Sequence, residues 1–378
     1  MRERVSELDG LRGVAILLVL VFHFTPTRGP LQVLAPFLQT GWAGVDLFFV
    51  LSGYLITGIL LDTAGQPGCY KNFIVRRSLR IFPLYYASLV ADVYLSYYPA
   101  AANWKDFFAT REGWWYFGYV SNIRVFLDNQ WPSLSILTPL WSLSVEEQFY
   151  LLFPLVVLFV QRKTLARVLI AAIAVAFAIR LGLVLAMPAN TAGTYTLTPC
   201  RMDCLALGGL IAIGKRDYPE ILKPRWIVWV GAVCTVIFLL IWRSYTGYPW
   251  SGPMRTVGFT ALDTAFAALL AILVTYPPRW LKSSLRFRPL VWIGTVSYGM
   301  YLLHLPAALL AKRIVGARLR PGGTSDFFLS MGAAICAASI SWIVFESPIL
   351  KLKDRWAPRS PQLATVNPVS GYSRIESA

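Results

Sequence analysis

Within apolar stretches of this 378-residue sequence stand groups that are costly to bury: His23, Asp46, Glu146, Glu147, Arg180, Arg201, Asp203, Asp263 and His304. An ionisable side chain inside a membrane-length apolar run is a functional candidate by default. The chain has only two histidines, His23 and His304, and imidazole is the side chain that exchanges protons near neutral pH. Arg12 precedes His23 by eleven residues, about three helical turns or roughly 16 Å along one helix. A guanidinium takes a phosphate bidentately. The two residues therefore fit the ends of a long ligand with phosphates at one end and a reactive group at the other, a shape that coenzyme A has. Two plainer readings stand beside this one. Arg12 also suits a basic anchor at the inner end of a span, and the buried charges also suit ion pairs that lock a bundle.

Placing these groups requires helices long enough to cross a bilayer. Apolar blocks of about 20 residues predict ten spans, at 11–26, 41–61, 77–98, 139–160, 166–187, 200–214, 226–242, 257–276, 290–311 and 327–349. Measured from the helix starts, His23, Asp46, Glu146, Arg180, Asp263 and His304 all fall about 18–23 Å from the inner face, in a single layer drawn from six helices. Arg201 and Asp203 fall slightly further out. The stretch 99–138, with Trp104, Trp114, Trp115, Tyr116 and Trp131, suits an interfacial segment. The expected organisation is an all-α polytopic membrane bundle over residues 1–350 and a cytoplasmic, disordered tail over 351–378, rich in Pro, Ser and Asn. Basic residues favour the N-terminal side of the membrane by about two to one, which predicts that both termini are cytoplasmic.

Composition excludes most other classes. The chain is 56% hydrophobic and 14% charged, with a mean hydropathy of +0.56, whereas soluble domains carry about a quarter charged residues. A net charge of +16 would suggest nucleic acid in a soluble protein, but the Lys and Arg cluster in short loops between apolar blocks. Cys69, Cys200, Cys204, Cys234 and Cys336 are scattered and form neither a disulfide framework nor a paired zinc motif, so no metal is expected. Glu3, Glu7 and Asp9 interrupt the basic N-terminus, which predicts a retained first helix rather than a cleaved signal.

The motifs resemble the membrane acyltransferase-3 family along nearly the whole chain up to the tail. LDGLRGVAILLVLVFHF carries the family's Arg-x10-His as Arg12 and His23, and GVDLFFVLSGY at Gly44–Tyr54 is similar to its second-span signature. RRSLRIFPLYY resembles its basic segment through Arg76, Arg77, Arg80, Pro83 and Tyr85. WSLSVEEQFY at Trp141–Tyr150, RMDCLALGG with Arg201, Asp203 and Gly208, SYGMYLLH with Ser297, Tyr298, Tyr301 and His304, and FESP with Glu346 and Pro348 follow in the family's order.

The resemblance implies an O-acyltransferase, with acyl-CoA, most simply acetyl-CoA, as cytoplasmic co-substrate and no tightly bound cofactor. It implies a hydroxylated acceptor, a surface glycan, glycolipid or glycosylated small molecule, and a bacterial inner membrane. Some members carry a hydrolase-like domain after the bundle. About 28 residues follow Leu350 here, so direct transfer to the acceptor is expected. The motif and its depth assign His23 as general base, with Glu146 or Asp46 orienting its imidazole. Arg12, Arg76, Arg77 and Arg80 would hold the coenzyme-A phosphates. Tyr298, His304, Arg201 and Asp203 are candidates for the oxyanion or the acceptor. An acyl-His intermediate is equally compatible with these residues. The rival reading is a transporter or flippase of a lipid-linked glycan, which would also need polar groups at mid-membrane; a scaffold is a third.

Overall fold

The computed structural model describes residues 5–97, 112–132, 134–245, 250–316 and 320–357, and no strand occurs among them. The long helices are α1 (Ser6–His23), α2 (Gly44–Thr63), α3 (Cys69–Tyr97), α4 (Leu140–Phe159), α5 (Arg162–Ala186) and α6 (Thr198–Asp217). They are followed by α7 (Pro224–Ser244), α8 (Phe259–Thr275), α9 (Arg288–Thr295), α10 (Ser297–Val315) and α11 (Thr324–Ser341). Every expected span thus coincides with helix. Among the described residues, seven helices are long and apolar enough to cross a membrane, or eight if α9 and α10 count as one bent span. α1, with Glu7, Asp9 and Arg12, and α3, with Lys71, Arg76, Arg77 and Arg80, are not among them.

The polarity is that of a protein turned toward lipid. On α7 the apolar Val228, Trp229, Val233, Val236, Leu239 and Leu240 are exposed, whereas Asp46, Arg180, Arg201, Asp203, Asp263 and His304 are wholly buried. An apolar surface that large would drive association in water; facing acyl chains, it is the natural exterior of a multi-pass membrane protein.

Interior helices approach through missing side chains. A Cβ on Gly208 of α6 would lie 2.0 Å from the Val50 carbonyl oxygen, and one on Gly53 of α2 would lie 2.0 Å from that of Leu205. Such close backbone contact is how membrane helices gain packing energy without a hydrophobic driving force. The same device joins α1 to α9, where a Cβ on Gly294 would overlap the Asp9 carbonyl.

Two sequence expectations change. Residues 290–311, expected as one span, are two helices bent by 76° at Val296. α9 lies against α1 through Gly294, and the break leaves the first turn of α10, Ser297 and Tyr298, at an internal cavity. The start of the expected tail is helical at Lys353–Trp356, and the buried Ala357 accepts a hydrogen bond from Arg76 Nη1 at 2.6 Å. Residues 358–378 lie outside the described residues, as does Trp104. The described part of the aromatic connection folds as two short α-helices, Glu112–Phe117 and Ser121–Asp128, and a 3-10 turn at Ser135–Leu137.

Gly208→Val should lower stability by about 1–3 kcal/mol or more through overpacking. Gly182→Ala, at a site with nothing within 4 Å, should be neutral or slightly stabilising. Melting temperatures of the detergent-solubilised variants check the contrast.

Candidate active site

The cavity lies between α1, α2, α3, α4 and α10. Arg12, Phe48, Ser52, Arg77, Arg80, Glu146, Tyr150, Tyr298 and Tyr301 line it, and its volume is about 90 Å3. Glu146 is held at both oxygens: Oε1 accepts from Ser52 Oγ at 2.8 Å and Oε2 from the Tyr150 hydroxyl at 3.0 Å. The Arg77 guanidinium sits 5.4 Å above the Tyr150 ring and 5.7 Å above that of Phe73, cation–π distances that orient it without neutralising it. Arg12 Nη1 donates to Asp9 Oδ1 at 3.3 Å.

Through Arg12, Leu55 and Arg80 the cavity meets a wider vestibule, also lined by Lys215, Arg216, Lys351 and Lys353. Asp9 and Asp62 are the acidic residues in that lining, and Arg216 binds Asp62 at 3.2 Å. The surplus is positive. A basic mouth leading into a mostly apolar pocket suits an elongated ligand with an anionic head.

Toward the other end of α1 stand the two histidines, their ring centroids 4.8 Å apart. His23 Nδ1 lies 2.9 Å from the Val19 carbonyl oxygen, and His304 Nδ1 lies 2.8 Å from that of Tyr301. A carbonyl only accepts, so each neutral ring carries its proton on Nδ1 and presents the Nε2 lone pair. His304 is wholly buried, and its Nε2 has no hydrogen-bond partner among the described residues. Between this pair and the cavity, Tyr301, Ser142 and the Pro139 carbonyl close a triangle. Its sides are 2.5 Å between the hydroxyls, 2.9 Å from Tyr301 to Pro139 and 3.0 Å from Ser142 to Pro139.

The single polar layer expected from the sequence resolves into three groups: the cavity with Glu146, the histidine pair, and a cluster of charges. In the cluster, Asp46 of α2 pairs with Arg201 of α6. Arg180 of α5 donates to Asp203 Oδ2 at 2.6 Å, to Thr260 Oγ1 at 2.6 Å and to the Cys200 carbonyl. Cys204 Sγ donates to Asp263 Oδ2 at 3.2 Å. Asp46, Cys204 and Asp263 have metal-capable atoms within 4.8 Å of one another, with the Arg201 cation already paired into that group.

The structure places several of the expected site residues apart from the histidines. Asp46 does not orient His23, because its carboxylate is paired with Arg201 across a helix interface. Glu146 accepts from Ser52 and Tyr150 rather than from His23, whose ring is held by the Val19 carbonyl. Arg201 and Asp203 lock helices rather than face the histidines. Arg76 does not line the cavity; it turns to Ala357, while Arg77 and Arg80, three residues apart on α3, share the cavity face. The Tyr298 hydroxyl donates to the Ile81 carbonyl at 2.7 Å, so its proton is not available to an oxyanion. His304 presents a lone pair rather than a donor. Ser52, Tyr150, Ser142 and Tyr301, which hold the cavity's polar groups, were not assigned roles from the sequence. Ser52 and Ser142 carry no signal of their own there, since serine is common in membrane helices.

Residues 5–345 match the acyltransferase domain family known as acyltransferase 3. The chain is 28% identical to the peptidoglycan O-acetyltransferase OatA of Listeria monocytogenes over 93% of its own length and 56% of the relative's. It is 29% identical to the O-acetyltransferase OatA of Staphylococcus aureus over 91% of its length and 57% of the relative's. The chain thus spans little more than half the length of these relatives. No solved structure matches it.

Breaking the buried Asp46–Arg201 pair from one side, by Asp46→Leu or Arg201→Met, should cost about 3–5 kcal/mol by stranding a charge. The double replacement should be more stable than either single one. Thermal unfolding of the three variants checks this, and simple additivity of the two losses would contradict the pairing.

Proposed function

Because this chain belongs to the membrane acyltransferase-3 family, we propose that it transfers an acyl group, most simply acetyl, from a coenzyme-A thioester to a hydroxyl of a cell-wall or cell-surface glycan. The observation that carries this reading is the two-ended environment of α1. Arg12 faces a basic-mouthed cavity near one end, and His23, with its Nδ1 proton anchored, faces a second imidazole at the other. The acceptor class is supported by the relatives' activity on peptidoglycan.

In this reading the coenzyme-A phosphates lie at Arg12, Arg77 and Arg80, with the basic vestibule behind them, and the pantetheine arm runs through the cavity toward Tyr301. The acceptor hydroxyl attacks the thioester carbonyl carbon as His23 Nε2 takes its proton. The tetrahedral oxyanion collapses, the C–S bond breaks, and the imidazolium returns the proton to the departing thiolate. The hydroxyls of Tyr301 and Ser142, held by the Pro139 carbonyl, would border the thioester carbonyl, Tyr301 having its ring 6.1 Å from that of His304. The Arg12–His23 separation of about 16 Å suits the length of the pantetheine arm.

The same reading counts α1 and α3 as spans and takes the number to ten, with both termini cytoplasmic in a bacterial inner membrane. Arg12, Arg77 and Arg80, which make these helices too charged by composition, line the cavity rather than face lipid. A polar interior is how charged residues are tolerated in a spanning helix.

Membranes holding the protein should release coenzyme A from radiolabelled acetyl-CoA and place label on an added glycan. His23→Ala should lower turnover by about 10²–10⁴-fold, the contribution of a positioned base, while the protein remains folded. Arg12→Ala should raise the KM for acetyl-CoA about tenfold with a smaller effect on kcat. Wild-type turnover by folded His23→Ala would remove the base assignment. Absence of acetyl-CoA consumption by folded wild type would favour a transporter.

A further inference from the structure

A second cleft opens at the His23 end of the bundle. α1 ends there, α3 runs toward it, and α4 starts from it. Tyr116, Arg124, Asp128, Gln130, Trp131 and Leu137 line this cleft, whose volume of about 270 Å3 is close to the lower bound of about 300 Å3 for small-molecule sites. Arg124 Nε binds Asp128 Oδ2 at 2.5 Å, and the two side chains remain 42% and 38% exposed. The guanidinium also lies 6.0 Å above the Trp115 ring. Trp131 is 37% exposed, and its inner side packs near Tyr195 at 6.5 Å and Trp250 at 6.3 Å.

The walls are held in place. Asn129 ends the Ser121–Asp128 helix in the left-handed conformation, φ +49°, which returns the chain so that Gln130 and Trp131 face the cleft with Arg124 and Asp128. Asn129 Nδ2 donates to the Ala189 carbonyl at 2.8 Å, and Asn190 Nδ2 donates to the Phe126 carbonyl at 2.9 Å. Fixed walls reduce the ordering cost of binding.

We propose that this cleft is the acceptor subsite and binds one pyranose unit of a glycan beside the acceptor hydroxyl; the proposal rests on the acyltransferase reading above. Its chemistry favours a neutral sugar. The ion pair balances its own charge, so the cleft does not select an anion. It still offers a planar fork of N–H donors and carboxylate acceptors to vicinal hydroxyls. Trp131 offers an apolar face to the ring's C–H groups and carries a polar N–H. The chain also connects the cleft to the chemistry: its wall at Leu137 continues through Pro139 to Ser142, which meets Tyr301 one helical turn before His304.

The test uses the full chain in detergent with muramidase-solubilised peptidoglycan fragments as probe. It measures steady-state acetyl transfer and saturation transfer from protein to sugar protons. Trp131→Ala and Gln130→Ala should each raise the acceptor KM by about tenfold or more, the scale of one lost aromatic or polar contact. Both should weaken the saturation signal and leave the acetyl-CoA KM and acceptor-independent coenzyme-A release unchanged. Trp280→Ala, an exposed tryptophan outside the cleft, should change none of these. If Trp131→Ala does not fold, Gln130→Ala and Asp128→Asn decide. Wild-type acceptor KM and saturation signal in the folded cleft variants would overturn the subsite. A wild type that releases no coenzyme A would overturn the acyltransferase reading, and the saturation signal would still report on the cleft by itself.

Discussion

A bilayer supplies no water to stabilise a stray charge, so each ionised group within this bundle must find its partner in the protein. The Asp46–Arg201 and Arg180–Asp203 pairs meet that demand by joining α2, α5 and α6, and Thr260 and Asp263 draw in α8. The glycine contacts between α2 and α6 bring the backbones close enough for the first pair to form. Once α2 is fixed by Asp46, its other face presents Phe48 and Ser52 to the cavity. The ion cluster therefore does no chemistry in this account, yet it determines where one wall of the site stands.

α1 works differently. It is a continuous helix from Ser6 to His23, so it fixes the distance between Arg12 and His23 by its rise alone. The histidines are tuned by backbone rather than by a carboxylate. Each gives its Nδ1 proton to a main-chain carbonyl, which leaves two Nε2 lone pairs at one place without introducing another charge. Tyr301 and Ser142 stand between that place and the cavity. In the proposed reaction, their hydroxyls are therefore close to where the thioester carbonyl must sit.

Much of this was legible in the sequence because membrane helices announce themselves by length and composition. The ten expected spans all coincide with helix, and the Arg12–His23 spacing on α1 follows from helical rise. The membrane family was legible for another reason: its motifs occur in order across nearly the whole chain, and residues 5–345 match. Depth was less informative than it looked. Residue counting put Asp46, Glu146 and His23 at similar heights, but height says nothing about azimuth. The rotation of each helix sent Asp46 to Arg201 and Glu146 to Ser52 and Tyr150. The bend at Val296 was invisible for a related reason: it depends on α9 meeting α1 at Gly294, a contact between residues far apart in the chain. Arg76 and Arg77 show the same limit at single-residue scale, one turning to Ala357 and the other to the cavity.

In the proposed reaction an acyl-CoA lies along α1, with its phosphates near Arg12 and its acyl group near the histidines. A photoreactive benzoylbenzoyl thioester of coenzyme A, irradiated with the protein in lipid nanodiscs and mapped by peptide mass spectrometry, tests this directly. Adducts on Val19–His23 or Tyr301–His304 that excess acetyl-CoA suppresses are the expected result. Adducts confined to the lipid-facing surface of α7, or unaffected by acetyl-CoA, would contradict it.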